Sequence, residues 1–198
     1  MRDCGDHYDY IGVYVDDLEI ASKEANKIIE ELEITHKFKL KGTGPMTYHL
    51  GCDFSRDEDG TLGMSPKKYL ERVFDNYEKI YGEKPKGAAS PLVHGDHPEL
   101  DDSDLLEQDG IKEYQSLIGS LQWSVSLGRF DVTTAVMMMS SFHALPRKGH
   151  LDRAKRIIGY LWKMKHGTIR FRTEEPDYSD LRMSEETWKN TSYGEVRE

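Results

Sequence analysis

Residues 8 to 22, YDYIGVYVDDLEIAS, alternate apolar and other positions: Ile11, Val13 and Val15 before a pair of aspartates, Leu18 and Ile20 after it. Period two on both sides of a two-residue break predicts a tight β-hairpin, with Asp16 and Asp17 at the break. The spacing then lengthens to that of a helix. Ser22 is placed to cap it, and Ala25, Ile28, Ile29 and Leu32 make a single stripe through about His36. FKLKGTGP, from Phe38, reads as a short strand closed by a Gly-Thr-Gly-Pro turn. Two more strands are expected over 46–55 and 61–64, joined by a hairpin at Asp59-Gly60.

From Ser65-Pro66 the pattern is helical. Ser65 can cap and Pro66 suits the first turn, and Tyr69, Leu70, Val73, Phe74 and Tyr77 share a face. Residues 82–109 carry no such period and read as a linker. Three helices follow, over 111–127 (Tyr114, Leu117, Ile118, Leu121, Trp123), 130–143 (Val132, Ala135, Val136, Met139, Phe142) and 148–165 (Leu151, Ala154, Ile157, Ile158, Leu161, Trp162). Trp123, Trp162 and Met137 to Met139 are read as core filling. GTIRFR, from Gly167, is a further strand, and the tail from Thr173 is acidic and poor in apolar residues. Strands first and helices afterwards define an α+β chain.

Charge adds what periodicity does not. The net charge of −9 over 198 residues argues against a dedicated nucleic-acid binder, but the average hides an asymmetry. Residues 147–172 hold nine Lys or Arg against one acid, whereas residues 94–109 hold seven acids and no Lys or Arg. The basic stretch lies on an amphipathic helix, which suits either tracking a phosphate backbone or an ordinary solvated face. The acidic stretch reads as solvated. His94 and His97 sit within it without Cys partners and are not taken as metal ligands. Cys4 and Cys52 have no metal or redox spacing, so free thiols are expected. With no apolar run long enough to span a bilayer and no signal-peptide pattern at the start, an intracellular location is expected, with no membrane partner.

The candidate chemistry is at Asp16-Asp17. Adjacent strand residues point to opposite faces, but at a hairpin tip both carboxylates can approach one spot. Their repulsion is relieved by a divalent cation, and hard oxygen donors with an incomplete shell suit Mg²⁺. The competing reading is an exposed acidic turn.

YVDDLEIAS, followed by a helix, FKLKGTGPMTYHLGCDF, SPKKYLERVF, YQSLIGSLQW, GRFDVTTAVMMMSSF and HLDRAKRIIGYL, resembles the C-terminal half of the reverse transcriptase of copia-type LTR retrotransposons, block for block from about Tyr10 to Thr168. The resemblance implies that Asp16 and Asp17 are the paired catalytic carboxylates of a polymerase palm, holding Mg²⁺ for two-metal nucleotidyl transfer. Tyr14 and Val15 would lie under the incoming nucleotide and primer end. Lys41, or alternatively Lys39, would stand near the departing pyrophosphate. His49, Leu50 and Gly51 would form the primer grip, and Arg153, Lys155, Arg156 and Lys163 would follow the nucleic-acid backbone.

The implied organisation is palm over 1–64, first thumb helix and acidic linker over 65–109, helical thumb over 110–167, and the start of a connection toward an RNase H domain over 168–198. Implied partners are an RNA template, a DNA primer, the fingers and upstream palm, and the RNase H domain. Implied locations are a cytoplasmic particle and the nucleus. The family's third carboxylate comes from a strand well upstream, so this chain alone is expected to be inactive and to expose an apolar palm face. Phe130 stands where the family has Pro, with Asp131 left to cap the helix. The alternative is a relic that binds nucleic acid without catalysis.

Overall fold

The alternating stretch folds into the hairpin its pattern calls for, β2 (Tyr8–Tyr14) against β3 (Asp17–Ala21), with a two-residue strand β1 (Arg2–Asp3) on the other edge of β2. This computed structural model describes residues 1–172; Tyr178, Trp188, Tyr193 and the rest of the acidic tail lie outside the described residues. Register pairs Val13 with Leu18 and Ile11 with Ile20 on one face, and Tyr14 with Asp17 and Gly12 with Glu19 on the other. The turn is therefore Val15-Asp16, one residue earlier than the sequence suggested, and Asp17 opens the second strand. Ile11, Val13 and Leu18 stay exposed, as expected of a sheet that shows an apolar face.

Helix α1 (Ala25–Glu30) follows and runs into a π-helical turn over Glu31–Thr35. The Ser22 hydroxyl accepts the Glu24 N–H at 2.9 Å, so it organises the approach to the helix rather than capping it. Residues 38–41 form no strand, and Phe38 is exposed. A strand needs a neighbour to take its ladder bonds, and none among the described residues pairs with this segment.

The second sheet is antiparallel, in the order β4 (Tyr48–His49), β5 (Cys52–Arg56), β6 (Leu62–Ser65), β7 (Ile169–Phe171). The single strand expected over 46–55 is broken at Leu50-Gly51, where φ values of 48° and 96° reverse the chain in two residues. The turn between β5 and β6 is centred on Glu58-Asp59, one residue before the expected Asp59-Gly60, with the Gly60 N–H donating to the Asp57 carbonyl at 3.0 Å and Asp59 Oδ1 accepting the Thr61 N–H at 2.9 Å. Residues 169–171 pair with β6 rather than leading away from it, Met64 standing opposite Ile169.

Between β6 and β7 lie α2 (Lys67–Tyr81), α3 (Gln108–Ser126), α4 (Thr133–Ser140) and α5 (Lys148–Lys163). Helix α2 ends at Gly82, whose φ of 74° lets its N–H reach the Glu78 carbonyl at 2.8 Å. The stripes read from the sequence meet in one core: Leu70, Phe74, Ile118, Leu121, Val136, Met139, Ile157 and Leu161 are all buried. Tyr114 is buried with them and donates its hydroxyl to the Met139 carbonyl at 2.5 Å. Trp162 meets Phe74 edge-on at 5.0 Å. Three assignments to the core do not hold. Trp123, Met137 and Met138 are exposed, because only Met139 of the methionine run continues the stripe through Val132, Ala135 and Val136. Helix α4 is also shorter than expected, since Asp131 pairs with Arg129 at 2.7 Å instead of capping it.

Candidate functional site

The two hairpin tips that the sequence singled out share an unusual backbone. Val15 has φ 54° and Leu50 φ 48°, two of the three non-glycine residues at positive φ among the described residues. A left-handed conformation at a β-branched or bulky residue is strained, and hairpins prefer Asn or Gly there. Both side chains are also exposed, Val15 at 86%. Strain coupled to an exposed apolar side chain serves packing badly and is characteristic of functional tips.

His49 joins the two tips. Its side chain is 12% exposed, its Nε2 lies 2.6 Å from Glu19 Oε1, and its Nδ1 lies 3.9 Å from Asp17 Oδ2. The Tyr14 ring meets it edge-on at 6.2 Å. The face of the first hairpin that carries Tyr14, Asp17 and Glu19 therefore rests on β4. The second hairpin is in turn seated on the helices: a Cβ on Gly51, at φ 96°, would stand 3.1 Å from the Leu127 side chain, and Cys52 Sγ lies 3.5 Å from the Leu127 carbonyl. Gly51 is thus required both for its conformation and for this approach. Glu19 was missed by the sequence reading, although its place two residues beyond Asp17 put it on the same face.

Asp16 occupies the turn and Asp17 the first paired position, both exposed. Two exposed carboxylates with room for water fit the hard donor set of Mg²⁺. Among the described residues no His, Cys or further carboxylate comes close enough to make a three-ligand group with them. Lys39 and Lys41 lie on the exposed segment that follows α1 and form no ion pair among the described residues.

The basic helix is largely occupied by the chain's own acids. Arg153 binds Asp96 through two bonds of 2.8 Å and Asp101 at 2.5 Å. Lys148 pairs with Asp104 at 2.7 Å, and Lys155 lies 3.6 Å from Glu113 and 4.0 Å from the centre of the Tyr81 ring. Arg156 donates to the Ser90 hydroxyl at 3.2 Å. The acidic run, expected to be solvated, is thus docked on α5. Buried His150 completes the seam, its Nε2 donating to the Pro98 carbonyl at 2.9 Å and its Nδ1 accepting the Arg147 N–H at 3.1 Å. Of the four backbone-tracking candidates only Lys163 is exposed without an ion pair among the described residues.

The transposon Ty5-1 protein YCL074W of Saccharomyces cerevisiae is 29% identical over 179 residues, covering 87% of this chain and 55% of that protein. The Retrovirus-related Pol polyprotein from transposon RE1 of Arabidopsis thaliana is 28% identical over 153 residues, 77% of this chain and 10% of the polyprotein. The chain is distantly similar to retrotransposon Pol polyproteins. The corresponding polyprotein from transposon TNT 1-94 of Nicotiana tabacum is 29% identical over 157 residues and 11% of its length. This chain thus spans about half of the Ty5-1 relative and about a tenth of the Pol polyproteins. No protein-family profile and no solved structure matches it. Among the described residues no helix is long and apolar enough to cross a membrane.

Proposed function

We propose that the chain is the part of a retrotransposon RNA-directed DNA polymerase that carries the catalytic hairpin, the primer grip and the helical thumb, and that it synthesises DNA only together with further polymerase segments. One observation carries this reading: the Tyr14-Val15-Asp16-Asp17 tip and the His49-Leu50-Gly51 tip, with 31 residues between them, meet at His49, each on a strained turn with an exposed apolar side chain. Similarity to Pol polyproteins supports it.

In this reading Asp16 and Asp17 would hold Mg²⁺, which would supply electrostatic stabilisation for nucleotidyl transfer. Tyr14 and Val15 lie beneath the primer end and incoming nucleotide. His49 holds the grip against the catalytic hairpin, Leu50 and Gly51 face the primer strand, and Lys163 contacts the backbone of the RNA template and DNA primer duplex. The second reading is a relic that binds nucleic acid without catalysis, which keeps the Lys163 contact and dispenses with the Asp pair.

Two measurements test the proposal. The 198-residue chain is expected to bind a primer–template duplex more weakly as salt rises, the slope falling by about 1 in Lys163→Gln, and to extend the primer not at all. Mn²⁺ is expected to broaden the amide resonances of residues 14–18, an effect that Asp16→Asn and Asp17→Asn remove. A folded chain without duplex affinity at low salt overturns the proposal. Duplex binding with no Mn²⁺ effect at the hairpin favours the relic.

A further inference from the structure

We propose that Cys4, His7 and Asp9 form a zinc site at the root of the hairpin that carries Asp16 and Asp17. It is independent of the polymerase reading. Each of the three offers one ligand atom within 4.8 Å of the others, the only such group among the described residues. The turn between β1 and β2 brings them together. Gly5, at φ 89°, lets the Cys4 N–H reach the His7 carbonyl at 2.9 Å, and Asp9 follows on β2.

Asp9 is the telling member. It is 1% exposed, and its Oδ2 accepts from Arg2 Nε at 3.0 Å, Arg2 Nη2 at 2.8 Å and Cys4 Sγ at 3.2 Å. Its Oδ1 is buried with no hydrogen-bond partner and lies 3.5 Å from His7 Nε2. The Ser22 hydroxyl also bonds this carboxylate. A buried carboxylate oxygen left this way is costly, and a cation shared with Nε2 and Sγ satisfies it. The spacing also fits, since two ligands at about 2.0 Å from a tetrahedral ion stand about 3.3 Å apart.

The imidazole is already oriented for this. His7 Nδ1 lies 2.6 Å from Asp6 Oδ1, which turns Nε2 toward Asp9, the carboxylate–histidine arrangement that positions zinc ligands. Thiolate, imidazole and a single carboxylate select Zn²⁺ over the Mg²⁺ proposed for the Asp pair. Cys4 is exposed, so water completes the fourth position. Bound there, zinc ties the turn to the first residues of β2 and braces a hairpin whose apolar face is largely bare.

The test is titration of the full chain with Zn²⁺ by calorimetry and with Co²⁺ by absorption. One ion per chain is expected, with a thiolate–cobalt charge-transfer band that excess Mg²⁺ does not displace. Cys4→Ser removes the band, His7→Gln weakens binding, Asp6→Asn weakens it by about 10–100-fold, and Cys52→Ser leaves it intact. Asp9→Asn also breaks the Arg2 pair, so exposed Cys4, whose replacement leaves circular dichroism unchanged, is the decisive position. Absence of the band, its survival in Cys4→Ser, or its loss in Cys52→Ser overturns the site.

Discussion

Leu50 and Val15 do at their hairpin tips what the turns themselves do not ask for. Asn tolerates positive φ far better than Leu, so Leu50→Asn is expected to raise stability by about 0.5–1 kcal/mol in urea melts. If Leu50 faces the primer, affinity for a primer–template duplex falls in the same variant. A gain in stability without that loss would place Leu50 outside the interface. Asp101 shows how a single residue records its surroundings in pH. The Ser103 hydroxyl, helped by Arg153 against the opposing effect of burial, holds its carboxyl at about 2, below the ordinary 3.8. Because the folded value is the lower one, its contribution is complete above about pH 4 and disappears as pH falls toward 2. The stability gap between the native chain and Asp101→Asn, followed by urea melts, is expected to be constant from neutral pH to about 4 and to close below it.

At the scale of elements, the local signals were legible and the distant ones were not. The four helices of the core could be read because burial recurs every three or four residues, a signal contained in one segment. The β2–β3 hairpin was read for the same reason, to within one residue at its turn. Periodicity hid the break between β4 and β5, since Leu50 is no turn former, and only the family resemblance pointed to a hairpin there; the Phe38 segment misled because its alternation has no neighbour to pair with. The charge runs are the clearest case. Read separately they gave a solvated linker and a phosphate-tracking face, yet Asp96 and Arg153 neutralise each other across 57 residues. Composition along the chain carries no record of such pairing. Of the candidate site, the sequence supplied both tips but neither their meeting at His49 nor Glu19. Arg153→Met is expected to cost about 2–4 kcal/mol in thermal or urea unfolding, because Asp96 and Asp101 are left largely buried without their cation. A loss below about 0.5 kcal/mol would mean that the seam between the acidic run and α5 contributes little.

For the whole molecule, the connection that matters is the return of β7 to the sheet. Strand β6 ends at Ser65, and among the described residues its remaining edge is covered by residues 169–171 alone, with the Ser65 hydroxyl donating to the Gly167 carbonyl at 3.1 Å across 102 positions. All four core helices lie between these neighbours. A chain ended before Lys165 is expected to keep its helical circular dichroism while aggregating, measured by light scattering, because β6 then presents unpaired backbone groups. The same connection sets an order in time. Pairing so distant in sequence carries a large loop-closure cost until the intervening chain has contracted. On this account the core helices fold first and draw the two strands together, and during synthesis this sheet is begun before any of those helices and completed after all of them.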